Sequence, residues 1–234
     1  AIEIINTCEM AKYDLNSYRG KITGHLDICS SSVPRQYVLP NLLEKFESIY
    51  PDVTFSIMDK DSKQVIQSIL NWETDFGIVG ARYPSNKLKY IELMEDKLLL
   101  VTANNELFPF ENYENIGTDI LYKEKLIIRE KGSGTRELLE RELKKNNISI
   151  NSLKILACVE DTETIKNLVS LGAGVSFLSE RAVNNKHSLE IFKMFNVENF
   201  NLKRKFYFVY HKNRQLSPLS ETFKNFVIDY IKGN

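Results

Sequence analysis

The chain is short of the residues that mark several large classes of protein. It has 3 cysteines in 234 residues, Cys8, Cys29 and Cys158, far apart and with no CxxC pair or neighbouring histidine cluster. That spacing argues against a zinc site and a disulfide framework, and reads as ordinary reduced thiols. Charge of one sign is equally lacking, since 31 basic side chains balance 31 acidic ones. A protein held to nucleic acid by electrostatics alone carries a basic excess, so that class is set aside. No apolar run approaches the roughly 20 residues that cross a bilayer, and no signal-peptide core opens the sequence. The longest pure stretches are pieces such as Leu98-Leu99-Leu100-Val101. These absences predict a soluble, cytoplasmic protein with no membrane partner. The 3 histidines, His25, His187 and His211, are scattered without a serine or cysteine at recognisable spacing. No catalytic residue, metal ligand or cofactor is therefore assigned, and the chain is not read as an enzyme.

What is present is material for a core: 43% hydrophobic and 11% aromatic residues against 26% charged. That balance excludes disorder as the dominant state and leaves room for one large domain or two small ones. Ala1 to Leu15, with Ile2, Ile5 and Cys8 between charged residues, reads as the tail of a helix. GHLDICS (Gly24 to Ser30) reads as a strand, followed by serines and a helix opened by Pro34 that buries Val38, Leu39, Leu42, Leu43, Phe46 and Ile49. VTFSIM (Val53 to Met58), a helix headed by Ser62, and DFGIVG (Asp75 to Gly80) continue the alternation, and KLLLVT (Lys97 to Thr102) closes the first half. After a loop-rich stretch from Ala103 to Lys123 it resumes: a strand at Lys125 to Arg129, a helix from about Ser133 to Asn147, a strand at Lys154 to Val159, a helix from about Thr162 to Leu171 and a strand at Gly174 to Ser179. An aromatic strand at Arg204 to His211 and a helix capped by Ser217-Pro218 end the chain. Strands alternating with helices at this spacing imply parallel sheets covered on both faces, so the fold class is α/β.

Taken in order, several stretches resemble the effector-binding domain of LysR-type transcriptional regulators. They are GHLDI (Gly24 to Ile28), SSSVPRQYVLPNLLEKFESIYPDV (Ser30 to Val53), DFGIVG, EKGSGTRELLE (Glu130 to Glu140) and LGAGVSFLS (Leu171 to Ser179). The EKGSGTR form is most similar to the branch with regulators of cysteine and sulfur metabolism and of carbon fixation. The resemblance implies a type 2 periplasmic-binding-protein fold, two Rossmann-like subdomains joined by two crossover strands near Leu98 to Thr102 and Lys193 to Tyr207. Residues 1–20 would be the end of a linker helix and its connector, 21–100 with 203–234 subdomain I, and 101–202 subdomain II. It also implies a homodimer, with tetramers open for a full-length protein, and DNA contact only through a winged helix-turn-helix expected upstream.

In a parallel α/β sheet ligands sit beyond the carboxyl ends of strands, where helix N-termini present unpaired N–H groups. Ser30, Ser31 and Ser32 offer three hydroxyls where one cap suffices, and at least one is expected at a ligand. At Asp61-Ser62 one residue is a cap, and Ser62 is the weaker ligand candidate because the acid would repel an anion. After DFGIVG, Gly80 and Arg82 offer close backbone approach and a guanidinium that either pairs with a carboxylate or sulfate or stays solvated. In GSGTR, Ser133, Gly134, Thr135 and Arg136 combine small residues and hydroxyls at a helix start, without P-loop or dinucleotide spacing. Asp161 and Thr162 are a cap first and a ligand contact second. If both halves face one cleft, the expected ligand is a small effector, a carboxylate, amino-acid-like molecule or oxyanion, held without any essential cationic side chain. Thr135→Ala, or alanine at Ser30 to Ser32, is expected to weaken that binding at nearly unchanged melting temperature. The alternative is a transporter's solute-binding protein of the same fold, and a lesser rival is an enzyme on the same scaffold, for which no acid/base pair is found. Cys29, beside the serines, leaves a thiol-sensing role open.

Overall fold

The computed structural model describes residues 22–106, 108, 111–184 and 186–233. The expected linker-helix tail and Cys8 lie outside the described residues. The chain divides into two compact units, one made of the described residues up to Leu93 together with Tyr207 onward, the other of Met94–Phe206. The changes of unit fall at Leu93/Met94 and Phe206/Tyr207, inside two long strands, where the sequence reading puts them at 100/101 and 202/203.

In the first unit, β1 (Gly24–Ser30) lies parallel to β2 (Val53–Asp59) and to β3 (Phe76–Val79). The final strand, β10 (Lys203–His211), adds antiparallel to β3, with Tyr207 opposite Val79 and Tyr210 opposite Phe76. Consecutive residues of each strand serve opposite faces, as the two-residue strand period requires. Ile28, Ile78 and Phe208 join a core with Leu39, Leu42, Phe46 and Phe223. Their neighbours Cys29, Val79 and Val209 pack instead with Val65, Ile66 and Ile69. The first face is covered by α2 (Leu39–Ile49) and α9 (Pro218–Lys232), whose rings Phe46 and Phe223 meet edge to face at 5.0 Å. The second is covered by α3 (Ser62–Leu70), which lies so close at Gly77 that a Cβ there would stand 2.4 Å from Val65 Cγ1 and 2.8 Å from the Cys29 carbonyl oxygen.

The expected single helix after the serines is two: α1 (Ser32–Tyr37) and α2, broken at Val38. Pro40 is the physical reason, because it has no N–H to donate back one turn and its ring crowds that carbonyl. The strand expected at Lys97 to Thr102 is the end of a longer one, β4 (Leu88–Ala103).

In the second unit β4 pairs antiparallel with β8 (Val175–Ser179), β8 parallel with β6 (Lys125–Arg129), and β6 parallel with β7 (Lys154–Val159). The helices are α5 (Gly134–Lys145), whose Leu138, Leu139 and Leu143 pack with Leu98, Leu126, Ile128 and Phe177, and α6 (Thr162–Ser170). The stretch expected to be loop, Ala103 to Lys123, carries β5 (Asn115–Ile116) and α4 (Ile120–Lys123). After α7 (Glu180–Val183) and α8 (Lys186–Ile191) comes β9 (Phe192–Val197), a separate strand of this unit that pairs with β4 and β5. The segment Lys193 to Tyr207, expected as one crossover, is therefore the rest of β9, a connection and the start of β10.

Candidate functional site

In the first unit, the sequence candidates collect at the carboxyl ends of β1 and β3. The Ser31 N–H donates to the Ile78 carbonyl at 2.9 Å, and the Ser30 hydroxyl donates to the Ser31 and Ile78 carbonyls at 3.2 and 3.3 Å. Ser30 is wholly buried, and its hydroxyl ties the ends of β1 and β3 together. Ser62 takes a similar part, accepting from the Gly80 N–H at 3.3 Å and fastening α3 to the end of β3. Asp61 is the cap of α3, in a reciprocal box with Gln64. Arg82 lays its guanidinium over the Tyr90 ring at 5.3 Å, an attraction the solvated reading did not include.

Ser31 stands differently. Its backbone has cap geometry at the head of α1, yet its side chain makes no cap hydrogen bond. Ser133, at the head of α5, repeats this in the second unit. At other helix starts the polar residue does cap, Asp61 accepting from the Gln64 N–H, Asp161 from the Thr164 N–H and Ser217 from the Ser220 N–H, while Asp119 at the head of the short α4 does not. Ser31 and Ser133 are nevertheless only 7% and 4% exposed. Gly132, with φ 96°, supplies the left-handed backbone that turns the chain into this second helix start.

The second unit draws its candidates together at the ends of β6 and β7, around two arginines. Arg129, last residue of β6, makes a two-pronged ion pair with Glu130, Nε to Oε2 at 2.7 Å and Nη2 to Oε1 at 2.8 Å, and reaches the Thr162 hydroxyl at 3.4 Å. Arg204, on β10, donates from Nε to Asp96 Oδ2 at 2.7 Å and from Nη1 to the Thr135 hydroxyl at 3.0 Å. Asp96 is fully buried, and its other oxygen accepts from the Ser179 hydroxyl at 2.6 Å. Burial pushes the Arg204 pKa below its ordinary value, Asp96 opposes this and the neighbouring Arg129 charge reinforces it.

The remaining candidates are committed elsewhere. Arg136 pairs with Glu140 at 2.7 Å and donates to the Arg129 carbonyl at 3.0 Å. Asp161 is held as a cap, its pKa pushed up by burial but brought below the ordinary range by the Thr164 hydrogen bonds. Among the described residues no group of three or more His, Cys, Asp and Glu could hold a metal ion, and no helix is long and apolar enough to cross a membrane.

The sequence reading missed Arg204, Asp96 and Arg129. Strand parity carries the signal: Arg204 shares the inward parity of Phe206 and Phe208, and Asp96 that of Leu98 and Leu100, all buried. Opposite charges at inward positions of two strands ask for a partner, and each is the other's.

Two α/β units, each with a hydroxyl-rich helix start, define the class of periplasmic-binding-protein-like effector domains. The family model described as the LysR substrate binding domain matches residues 19–232, and the chain belongs to that family. It is 27% identical to the HTH-type transcriptional regulator CysL of Bacillus subtilis, over 100% of this chain and 75% of that protein. It is also 27% identical to a probable RuBisCO transcriptional regulator of Cyanidium caldarium, over 94% of this chain and 70% of the relative. Among solved structures it is similar to the effector-binding domain of QuiR in complex with shikimate, with TM-score 0.77 and 22% identity, covering 91% of this chain and 99% of that one. The regulatory domain of Synechocystis PCC6803 CcmR in complex with 2-PG also gives 0.77, at 24% identity, covering 90% and 98%. The chain is the effector-binding domain of a LysR-type regulator, and the solute-binding-protein alternative gives way to that reading.

Proposed function

We propose that this domain senses a small anionic or zwitterionic metabolite and performs no chemistry on it. The carrying observation is the contrast between helix starts: Ser31 and Ser133 leave their helices without a side-chain cap, while Asp61, Asp161 and Ser217 provide one. A buried hydroxyl kept from the cap, beside first-turn N–H groups that have no intrahelical acceptor, suits an anionic oxygen. The contact set proposed is Ser31 and Ser32 with Arg82 in the first unit, and Ser133, Gly134 and Thr135 in the second. Ser30, Ser62, Gly80, Arg136, Asp161 and Thr162 hold these positions in place. The two effector-bound relatives carry shikimate and 2-phosphoglycolate, which supports a carboxylate- or phosphate-bearing effector here.

As a regulator domain it acts by binding one conformation better than another, and a tenfold preference corresponds to about 1.4 kcal/mol passed to promoter DNA through a homodimer of the regulator. Both the dimer and a cytoplasmic location follow from this reading. The test is a thermal-shift and calorimetric screen with shikimate, 2-phosphoglycolate, O-acetylserine, sulfate, thiosulfate, amino acids and sugar phosphates. Saturable binding of at least one, weakened by Ser31→Ala and by Ser133→Ala, supports the reading. Binding of none by the folded domain ends it. Thr135→Ala is no longer expected to leave the melting temperature unchanged, because the Thr135 hydroxyl is the acceptor for buried Arg204.

A further inference from the structure

Arg204 is buried to all but 7% of its side chain, and its Nη2 has no hydrogen-bond partner. An arginine carries five N–H donors and no acceptor, so a guanidinium nitrogen shut from water without an acceptor is costly. Its other two nitrogens fix where it points. Nε is held by Asp96 and Nη1 by Thr135 Oγ1, the second residue of the twelve-residue helix α5. Because Nη1 can only donate, Thr135 Oγ1 accepts in that bond, and its own hydrogen is left to donate elsewhere. Ser133 at the same helix start makes no cap hydrogen bond. The Thr135 bond thus holds the guanidinium against the first turn of α5, the helix that Ser133 heads. The carboxylate paired with Arg204, that of Asp96, has both oxygens engaged, by Arg204 and by Ser179.

We propose that Arg204 Nη2, with the Thr135 hydroxyl and the Gly134 to Arg136 N–H groups, forms an anion seat in the second unit that takes a carboxylate or phosphoryl group. It rests on the effector reading and deepens it, since the negative end of the metabolite is received there by a buried cation. It differs from the expectation that peptide dipoles and hydroxyls suffice without a cationic side chain. The Arg204–Asp96 and Arg129–Glu130 pairs are each neutral as formed, so a bound monoanion is balanced by the helix end and shared with a guanidinium already in place. No side chain has to be recruited from solvent.

The probe is inorganic phosphate at constant ionic strength against chloride, followed on the whole chain through the amide resonances of Gly134 to Arg136 and the guanidinium resonances of arginine. Saturable shifts at those amides in the wild type are expected. Arg204→Lys keeps a charge for Asp96 but lacks the second nitrogen, and is expected to weaken phosphate by about tenfold or more. Arg204→Met combined with Asp96→Ala removes both charges, so it stays measurable if Arg204→Lys fails to fold, and is expected to lose the response. Lys166→Gln, in the middle of α6 and paired with Glu163, is expected to change nothing. The proposal is overturned if the wild-type amides show no saturable response, or if an equal response persists in a folded Arg204 variant. A metabolite that binds Arg204→Lys as tightly as wild type refutes the seat and leaves the effector reading standing. Phosphate binding without any metabolite binding does the reverse.

Discussion

Replacing Asp96 by alanine removes the only carboxylate paired with Arg204 among the described residues and strands a guanidinium that is 93% shielded. Breaking a buried pair on one side costs about 3–5 kcal/mol, because the remaining charge is left without compensation. Arg204→Met should cost somewhat less, because Asp96 keeps the Ser179 hydroxyl and the half-exposed Arg181 at 4.0 Å. Removing both should cost far less than the sum. The apolar side chain fills the arginine's volume, and what is lost is a partner for the Ser179 hydroxyl and one for the Thr135 hydroxyl, about 1 kcal/mol each. The coupling between the two positions should therefore reach several kcal/mol, well above the 0.5–3 kcal/mol usual for neighbours. Urea unfolding followed by far-UV circular dichroism, with the slope held common across the four proteins, reads this directly. An Asp96→Ala variant within about 1 kcal/mol of wild type, or a double variant whose loss equals the sum of the singles, would refute the burial argument.

Other perturbations test separate parts of the structure. Burial pushes the Cys29 thiol up to about 11, with Lys60 opposing, so native alkylation near neutral pH should label exposed Cys158 and leave Cys29 untouched until the chain unfolds. Fast labelling of Cys29 would revive the thiol-sensing idea. Burial pushes the Glu142 carboxyl up, but Lys145, the Asn201 N–H and Arg141 outweigh it and the net shift is downward. A lowered folded pKa gives stability that is complete above the unfolded glutamate pKa and lost as acid carries the pH down through the folded one. The stability curves of wild type and Glu142→Gln should thus differ at neutral pH and converge below the ordinary glutamate range; parallel curves would exclude this. Phe223→Ala empties a wholly buried ring site against Phe46 and Phe76 and should cost about 3–5 kcal/mol by denaturant titration. Gly77→Ala, whose methyl meets the Cys29 carbonyl, should cost about 1–3 kcal/mol by the same measurement.

Much of the architecture was legible because strands and helices here announce themselves by period. GHLDICS, KLIIR and GVSFLS are strands close to where alternation and apolar runs place them. The serine and GSGTR segments were legible for a different reason, since hydroxyls in excess of what a cap needs stand out in a sequence. What periodicity did not reveal was length and interruption. The front of β4, KYIELMED, mixes charge with apolar residues, and the break at Val38 depends on a proline two positions on. Nor could spacing reveal which hydroxyl caps and which does not, because Ser31 and Ser217 look alike until their N–H partners are known. Arg204 and Asp96 are 108 positions apart, and their meeting is a property of strand pairing that no local window contains.

The two-part make-up of the first unit bears on how the protein is born. Its third strand waits for β10, and its aromatic core waits for Phe208 and Phe223, which leave the ribosome after every residue of the second unit. The contiguous second unit can complete its own core during synthesis, while the face of β1 to β3 that α2 shares with α9 stays only partly covered until α9 is made. Truncation anywhere before α9 should yield nascent chains that attract chaperones through their beginning, not their end.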